Sequence, residues 1–153
     1  MKIEGRFLFE NLSPNEVWNF LTNPEHIASC LPGCESLVPT ADDHYQMIMS
    51  FGVGAIRGKF SGNIRLHGVH AVTDYGMTVS GTGAVGFVNG DGTIRLTSMD
   101  SGTEIVYFGD VSAGGAIASV GQRMISGAAR MIIEQFFKCV AGKLQPTAKK
   151  SSA

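Results

Sequence analysis

The sequence predicts an α+β fold in which a curved antiparallel sheet of about seven strands packs around one long C-terminal helix. Apolar residues recur with a period of two from residue 35 to residue 111, and a helical period follows. The alternation leaves one apolar and one polar face, which is typical of an antiparallel sheet covered on one side only. Two short helical segments follow the first strand, but only the C-terminal helix is long enough to cover the apolar face.

The first strand and the two short helices are predicted from local signals. Lys2–Leu12 alternates as a half-buried strand does. Ser13 at the N-cap and Glu16 three residues later form a capping box for a helix over Pro14–Thr22. A second short helix is expected over Glu25–Cys30.

The central part of the chain predicts the remaining strands. Ile56–Val69 alternates most clearly, and Asn89–Gly92 and Asp100–Gly102 have the composition of turns, the former of a hairpin. Glycines inside the strands suit a curved sheet, because they permit bends and bulges. They are Gly52, Gly54, Gly58, Gly62, Gly68, Gly81, Gly83 and Gly86.

Spacings of three and four residues predict one long amphipathic helix over Gly115–Lys143, ended by Gly142 and Pro146. The length of 153 residues suits one domain. We expect that domain over residues 1–145 and a disordered polar tail over residues 146–153.

Composition and charge exclude several classes of protein. Hydrophobic residues make up 44% of the chain, charged residues 16%, and 20 residues are glycine, which excludes intrinsic disorder. The net charge of −1 lacks the basic excess typical of nucleic-acid binding. Three cysteines argue against a disulfide framework, and the N-terminal segment is not a signal peptide. We therefore expect a cytoplasmic protein; peripheral contact with the inner face of the membrane stays open.

Two motifs suggest chemistry but fit structural roles better. Cys30 and Cys34 lie too far apart for a redox C-x-x-C pair and lack the further ligands of a zinc site, which favours small buried residues beside a turn. Gly81–Gly86 reads G-x-G-x-x-G, but strands flank it on both sides, whereas a dinucleotide fingerprint opens a helix. No catalytic triad, metal site or cofactor is expected.

Methionine and aromatic residues on the inward faces indicate a candidate cavity. Met adapts to irregular apolar ligands, and inward glycines leave space beside bulky side chains. Tyr107 is the best internal polar anchor, although a hydrogen bond to backbone or water would equally satisfy its hydroxyl. The candidate ligand-binding residues are Met49, Phe51, Phe60, Ile64, Met77, Phe87, Leu96, Tyr107, Met124, Ala128 and Phe136.

Two segments together resemble one family. The first reads Pro14-x-x-Val17-Trp18-x-x-Leu21-x-Asn23-Pro24-x-x-Ile27-x-x-Cys30-Leu31-Pro32-Gly33-Cys34-Glu35. The second reads Thr103-x-Ile105-x-Tyr107, then Gly109-Asp110-Val111, Gly114-Gly115-x-Ile117-Ala118-x-Val120-Gly121-Gln122-Arg123 and Gln135-Phe136-Phe137. Over residues 1–144 the chain resembles the G-subunit family of carbon monoxide dehydrogenase, within the START-like, polyketide cyclase-like superfamily.

This resemblance implies a helix-grip fold with a deep apolar cavity between sheet and helix. It also implies association with a molybdenum hydroxylase of the carbon monoxide dehydrogenase type, and a link to the membrane through a carried respiratory quinone. Some family members end in a C-terminal membrane anchor. Because no such segment precedes Ala153, we expect no anchoring by that route.

The expected function is non-catalytic binding of a lipid-like, quinone-like molecule. One alternative is a small cyclase or isomerase, which would need an acid or base inside the cavity. Another is an assembly or docking factor with a filled core, which would use the strand face that carries Arg57, Lys59 and Arg65. The sequence gives neither the ligand's identity nor the oligomeric state.

Overall fold

A computed structural model of the chain describes residues 1–53 and 56–144. The expected tail at 146–153, together with Gly54 and Pro146, lies outside the described residues. The seven strands are β1 Lys2–Glu10, β2 Cys34–Ala41, β3 His44–Val53, β4 Ile56–His70, β5 Asp74–Gly83, β6 Gly86–Met99 and β7 Gly102–Gly114. The helices are α1 Pro14–Leu21, α2 Pro24–Cys30, a 3-10 helix Gly115–Val120 and α3 Gln122–Leu144.

The strands form one antiparallel sheet in the order β1-β7-β6-β5-β4-β3-β2. Every neighbour is adjacent in sequence except β1, which pairs with β7. The long third helix packs against the inner face of this sheet. The helix-grip fold expected from the sequence is confirmed.

The capping box that opens α1 is present. The Glu16 amide donates to Ser13 Oγ at 3.2 Å, and the Ser13 amide donates to Glu16 Oε1 at 3.1 Å. The helix then buries Val17 and Trp18 in a core with Phe9 of β1 and Val140 of α3. This core fixes one end of α3 against the sheet.

The hairpin expected at Asn89–Gly92 is wrong, because these residues lie in the middle of β6. Gly90 pairs with Val79 of β5 and with Val111 of β7. The side chain of Asn89 points outward, whereas Gly90 faces the interior, so the segment keeps the period of a strand. Sheet pairing on both sides overrides the local turn preference. The turn between β5 and β6 falls at residues 84–85 instead.

The C-terminal helix is shorter than expected. Gly121 has a φ of +93°, a conformation that favours glycine, and it separates the 3-10 helix from α3. Gly142 does not end α3, which continues to Leu144. In the described part of the chain, none of the helices is both long and apolar enough to cross a bilayer.

A disulfide joins Cys30 at the end of α2 to Cys139 in α3, with the two Cα atoms 5.4 Å apart. Cys34 is the free cysteine. The sequence argument against a disulfide was wrong, because an odd number of cysteines does not prevent one pair from meeting in space. Structural disulfides are uncommon in a reducing cytoplasm, and the cytoplasmic location stays a prediction.

Candidate ligand-binding cavity

A cavity of about 430 Å³ lies between the inner face of the sheet and α3. Its wall is almost entirely apolar. β3 to β5 contribute Met47 and Met77, α2 contributes Ile27, and α3 contributes Ile132 and Phe136. An apolar, concave space of this size is typical of small-molecule sites.

Inward glycines leave room for this cavity. Gly92 of β6 pairs with Met77 on one side and with Gly109 of β7 on the other. These two glycines and Gly81 and Gly90 line the cavity, so the sheet presents backbone where side chains would otherwise fill the space. Bulky and absent side chains therefore alternate across the sheet, and the volume between them stays open.

Eight of the eleven candidate residues line the cavity. They are Met49, Phe51, Phe60, Ile64, Met77, Tyr107, Ala128 and Phe136. The strand residues among them share the inward face that the period of two predicts. Their part in binding a ligand stays a prediction.

The inward placement of Phe87 is wrong, because its side chain is 41% exposed on the outer face. It lies an odd number of residues before Ile94 in one continuous strand, and an odd offset reverses the face. Val88 lines the cavity in its place. Leu96 does point inward, but it packs into the core with Trp18 and is not part of the cavity wall.

Met124 is also misplaced by the sequence reasoning, with 44% of its surface exposed. A straight helix from Gly115 would give it a different angle, but the break at Gly121 resets the helical phase. Ile125 and Ala128 are buried as a result, whereas Met124 and Met131 face outward.

All three tyrosines of the chain line the cavity. Sequence reasoning singled out Tyr107 and missed Tyr45 and Tyr75 as polar wall residues, although both share the phase of inward methionines. The Tyr75 hydroxyl donates to the Leu21 carbonyl at 3.5 Å. Burial raises the pKa of Tyr75 far above its usual value, and the nearby Tyr45 raises it further.

Tyr107 lies on the boundary between this cavity and a second, polar groove. Gly5 is its partner on β1, and a side chain at Gly5 would collide with the Tyr107 hydroxyl. The absence of that side chain lets the ring lie across β1. Burial raises the pKa of Tyr107, Glu134 raises it further, and Arg130 opposes both effects.

The polar groove has a volume of about 450 Å³ and lies between β1 and α3. Its wall combines Arg6 and Gly5 of β1 with a row of polar side chains on α3. These α3 residues are Arg130, Glu134, Gln135 and Lys138, next to Met131. Tyr107 belongs to the walls of both spaces.

Acid–base groups are scarce in the apolar cavity. Within the described residues, Asp91 is the only charged residue in its wall. Its side chain lies on the exposed outer face and accepts a hydrogen bond from Thr78 Oγ1 at 2.7 Å. The arrangement therefore favours enclosure of an apolar molecule over proton transfer.

Comparison with known proteins gives a family match and several matches of fold. A family model described as the G subunit of carbon monoxide dehydrogenase (CoxG) matches residues 11–145. A conserved protein from Geobacillus kaustophilus is 31% identical, with a TM-score of 0.91 over 96% of this chain and 97% of that one. No curated protein matches the sequence significantly.

Two further solved structures are similar in fold alone. The Zhui aromatase/cyclase from Streptomyces sp. R1128 is 12% identical, with a TM-score of 0.71 over 95% of this chain and 93% of the other. A protein from Chromobacterium violaceum is 14% identical, with a TM-score of 0.73 over 95% of this chain and 97% of the other.

Proposed function

Because this chain belongs to the CoxG family of carbon monoxide dehydrogenase, we propose that it is a non-catalytic carrier of a respiratory quinone. The cavity between the sheet and α3 is the observation that supports this proposal most directly. In the cell the carrier serves a molybdenum hydroxylase of the carbon monoxide dehydrogenase type. The family membership supports this partnership.

An isoprenoid tail suits the chemistry of the cavity wall. Each methylene group that leaves water contributes about 0.8 kcal/mol, so the methionines, phenylalanines and isoleucines of the wall supply affinity for a hydrocarbon chain. Methionine adapts to irregular shapes, and Met47, Met49 and Met77 all face the cavity. The polar head of a quinone needs only a few hydrogen-bond partners, and tyrosines offer them.

The two alternatives receive less support. A cyclase or isomerase would need an acid or base in the cavity, but Glu134 lies in the polar groove and Asp91 points outward. A docking factor with a filled core does not need an open cavity. The polar face expected for docking is partly occupied, because Lys59 pairs with Glu35 at 3.1 Å.

Filling the cavity tests the carrier function. A side chain at Gly81 or Gly90 would make only ordinary contacts, at 3.8 Å and 3.7 Å for the nearest atoms. We expect the double variant Gly81→Val/Gly90→Val to fold and to bind decylubiquinone at least about tenfold more weakly, a loss of about 1.4 kcal/mol. Equilibrium dialysis measures the affinity, and native mass spectrometry detects lipid that co-purifies with the wild type.

Gly52→Val is the matched control. Gly52 lies in β3 on the exposed face, and its added Cβ would lie 3.6 Å from Arg57 Nη1. This variant should bind the quinone as the wild type does. Wild-type protein that binds no quinone, or a filled variant that binds it equally well, would contradict the proposal.

The partnership needs a separate measurement. Reduction of quinone by a purified carbon monoxide dehydrogenase-type hydroxylase is followed with quinone loaded on this protein and with the same quinone dispersed alone. We expect faster reduction of the loaded quinone. Equal rates would leave the carrier without this partner.

A further inference from the structure

The apolar cavity and the polar groove share one side chain as a dividing wall. Tyr107 of β7 contacts both spaces, and the missing side chain of Gly5 lets its hydroxyl reach the edge of the sheet. Phe137 packs on the same ring, with the ring centres 5.7 Å apart. The hydrophobic ring therefore faces the cavity side, while charged groups lie on the groove side.

Three groove residues repeat at four-residue spacing along α3. Arg130, Glu134 and Lys138 consequently lie on one face of the helix, above Gly5 and Tyr107. Among the residues that the structure describes, no carboxylate lies within salt-bridge distance of Arg130 or Lys138. Arg6, the third cation of the groove, is 3.7 Å from Glu104. The α3 groups are thus available to a ligand.

These groups offer both kinds of hydrogen bond. Arg130 and Lys138 can only donate, ionised Glu134 can only accept, and the Tyr107 hydroxyl can do both. A quinone ring presents carbonyl oxygens, which accept, whereas the reduced ring presents hydroxyls, which also donate. A wall with donors and an acceptor side by side can satisfy the ring in either form.

We infer that the polar groove is the head-group site of the carried quinone. The ring oxygens lie at Tyr107, Arg130 and Glu134, and the tail occupies the apolar cavity. This assignment rests on the proposed carrier function and adds the orientation of the ligand. The ring then lies at the open side of the protein, where a partner can reach it while the tail stays enclosed.

Two ligands with the same tail test the assignment. Decylubiquinone has the ring oxygens, and decylbenzene has the tail alone; both are delivered from cyclodextrin and measured by equilibrium dialysis. For Tyr107→Phe and Arg130→Gln we expect about tenfold weaker binding of the quinone, as for the loss of one hydrogen bond to a buried or charged group. Binding of decylbenzene should change by less than about twofold in both variants.

Arg123→Gln is the control, because Arg123 is an exposed cation of α3 outside both cavity walls. It should bind both ligands as the wild type does. If the wild type binds both ligands and the Tyr107 and Arg130 variants weaken neither or weaken both equally, the head-group assignment is wrong while the carrier function stands. If the wild type binds neither ligand, the carrier function itself fails.

Discussion

Tyr75 places a phenol in a nearly dry environment. Its ring packs edge-on against Trp18, with the ring centres 5.5 Å apart, and its hydroxyl has only the Leu21 carbonyl as protein partner among the described residues. Ionisation there would put a negative charge among apolar side chains. The raised pKa of Tyr75 therefore means that the folded protein holds this phenol neutral in alkaline solution.

This neutrality predicts a loss of stability above pH 10. In the unfolded chain Tyr75 ionises near its usual pKa of about 10, whereas the folded state retains the proton. The stabilising contribution is fully present below pH 10 and declines as the pH rises beyond it. Urea unfolding between pH 8 and pH 11.5 should show this decline, and Tyr75→Phe should flatten it.

Tyr45→Phe provides the comparison for that experiment. Tyr45 also has a raised pKa, caused first by burial and then by Asp43, but its side chain is only partly buried. Its replacement should change the pH dependence less than Tyr75→Phe does. Equal slopes for wild type and Tyr75→Phe would show that the Tyr75 phenol is not protected.

Single residues also show where sequence reasoning succeeds. The capping pair Ser13 and Glu16 could be predicted because both partners lie within four residues. Phe87 could not be placed from composition alone, because its orientation depends on whether β6 is continuous. Tyr45 and Tyr75 shared the inward phase, so their position was readable, but their role as polar wall residues depends on which space lies in front of them.

At the level of elements, the disulfide ties α2 to α3 across a sequence separation of 109 residues. In the chain-entropy account, such a cross-link restricts the unfolded chain and typically contributes about 2–4 kcal/mol. We expect Cys30→Ala/Cys139→Ala to lower the free energy of unfolding by about that amount. Denaturant unfolding of oxidised protein measures the difference.

Thiol counting gives an independent check. The native protein should show one reactive thiol after unfolding without reductant, Cys34, and three after reduction. Cys34→Ala, at a half-buried free cysteine, should change stability much less than the double variant. Three thiols in the unreduced protein would mean that the bond does not form.

Elements with local signals were predictable, whereas those set by distant partners were not. The alternation of β4 and the caps of α1 and α2 lie within short segments, and their bounds agree with the structure to within one or two residues. Asn89–Gly92 has a turn composition that pairing with β5 and β7 overrides. The partner of Cys30 depends on where α3 crosses α2, and no local pattern contains that information.

For the whole molecule, an open cavity couples ligand binding to stability. A ligand that binds only the folded state stabilises it by about 2.7 kcal/mol when its concentration is a hundred times Kd. We expect decylubiquinone to raise the Tm of the wild type and to leave Gly81→Val/Gly90→Val nearly unchanged. Thermal unfolding followed by circular dichroism measures both shifts.

The same comparison separates cavity filling from damage. Without ligand, the filled variant should unfold at or above the Tm of the wild type, because added apolar groups gain contacts in a space that was empty. A clear fall in its Tm would mean that Gly81 and Gly90 are needed for the backbone of the sheet. Such a result would remove the basis for using this variant against the carrier function.

The two ends of α3 are held unequally. At Cys139 the helix is bonded to α2, and at Gly121 it joins the 3-10 helix through a residue whose backbone conformation favours glycine. A rigid rod fixed at one end cannot slide away from the sheet; it can only tilt about the fixed point. Widening of the cavity is therefore greatest beside Ile125 and least beside Phe136, so a bulky tail passes more readily at the Gly121 side.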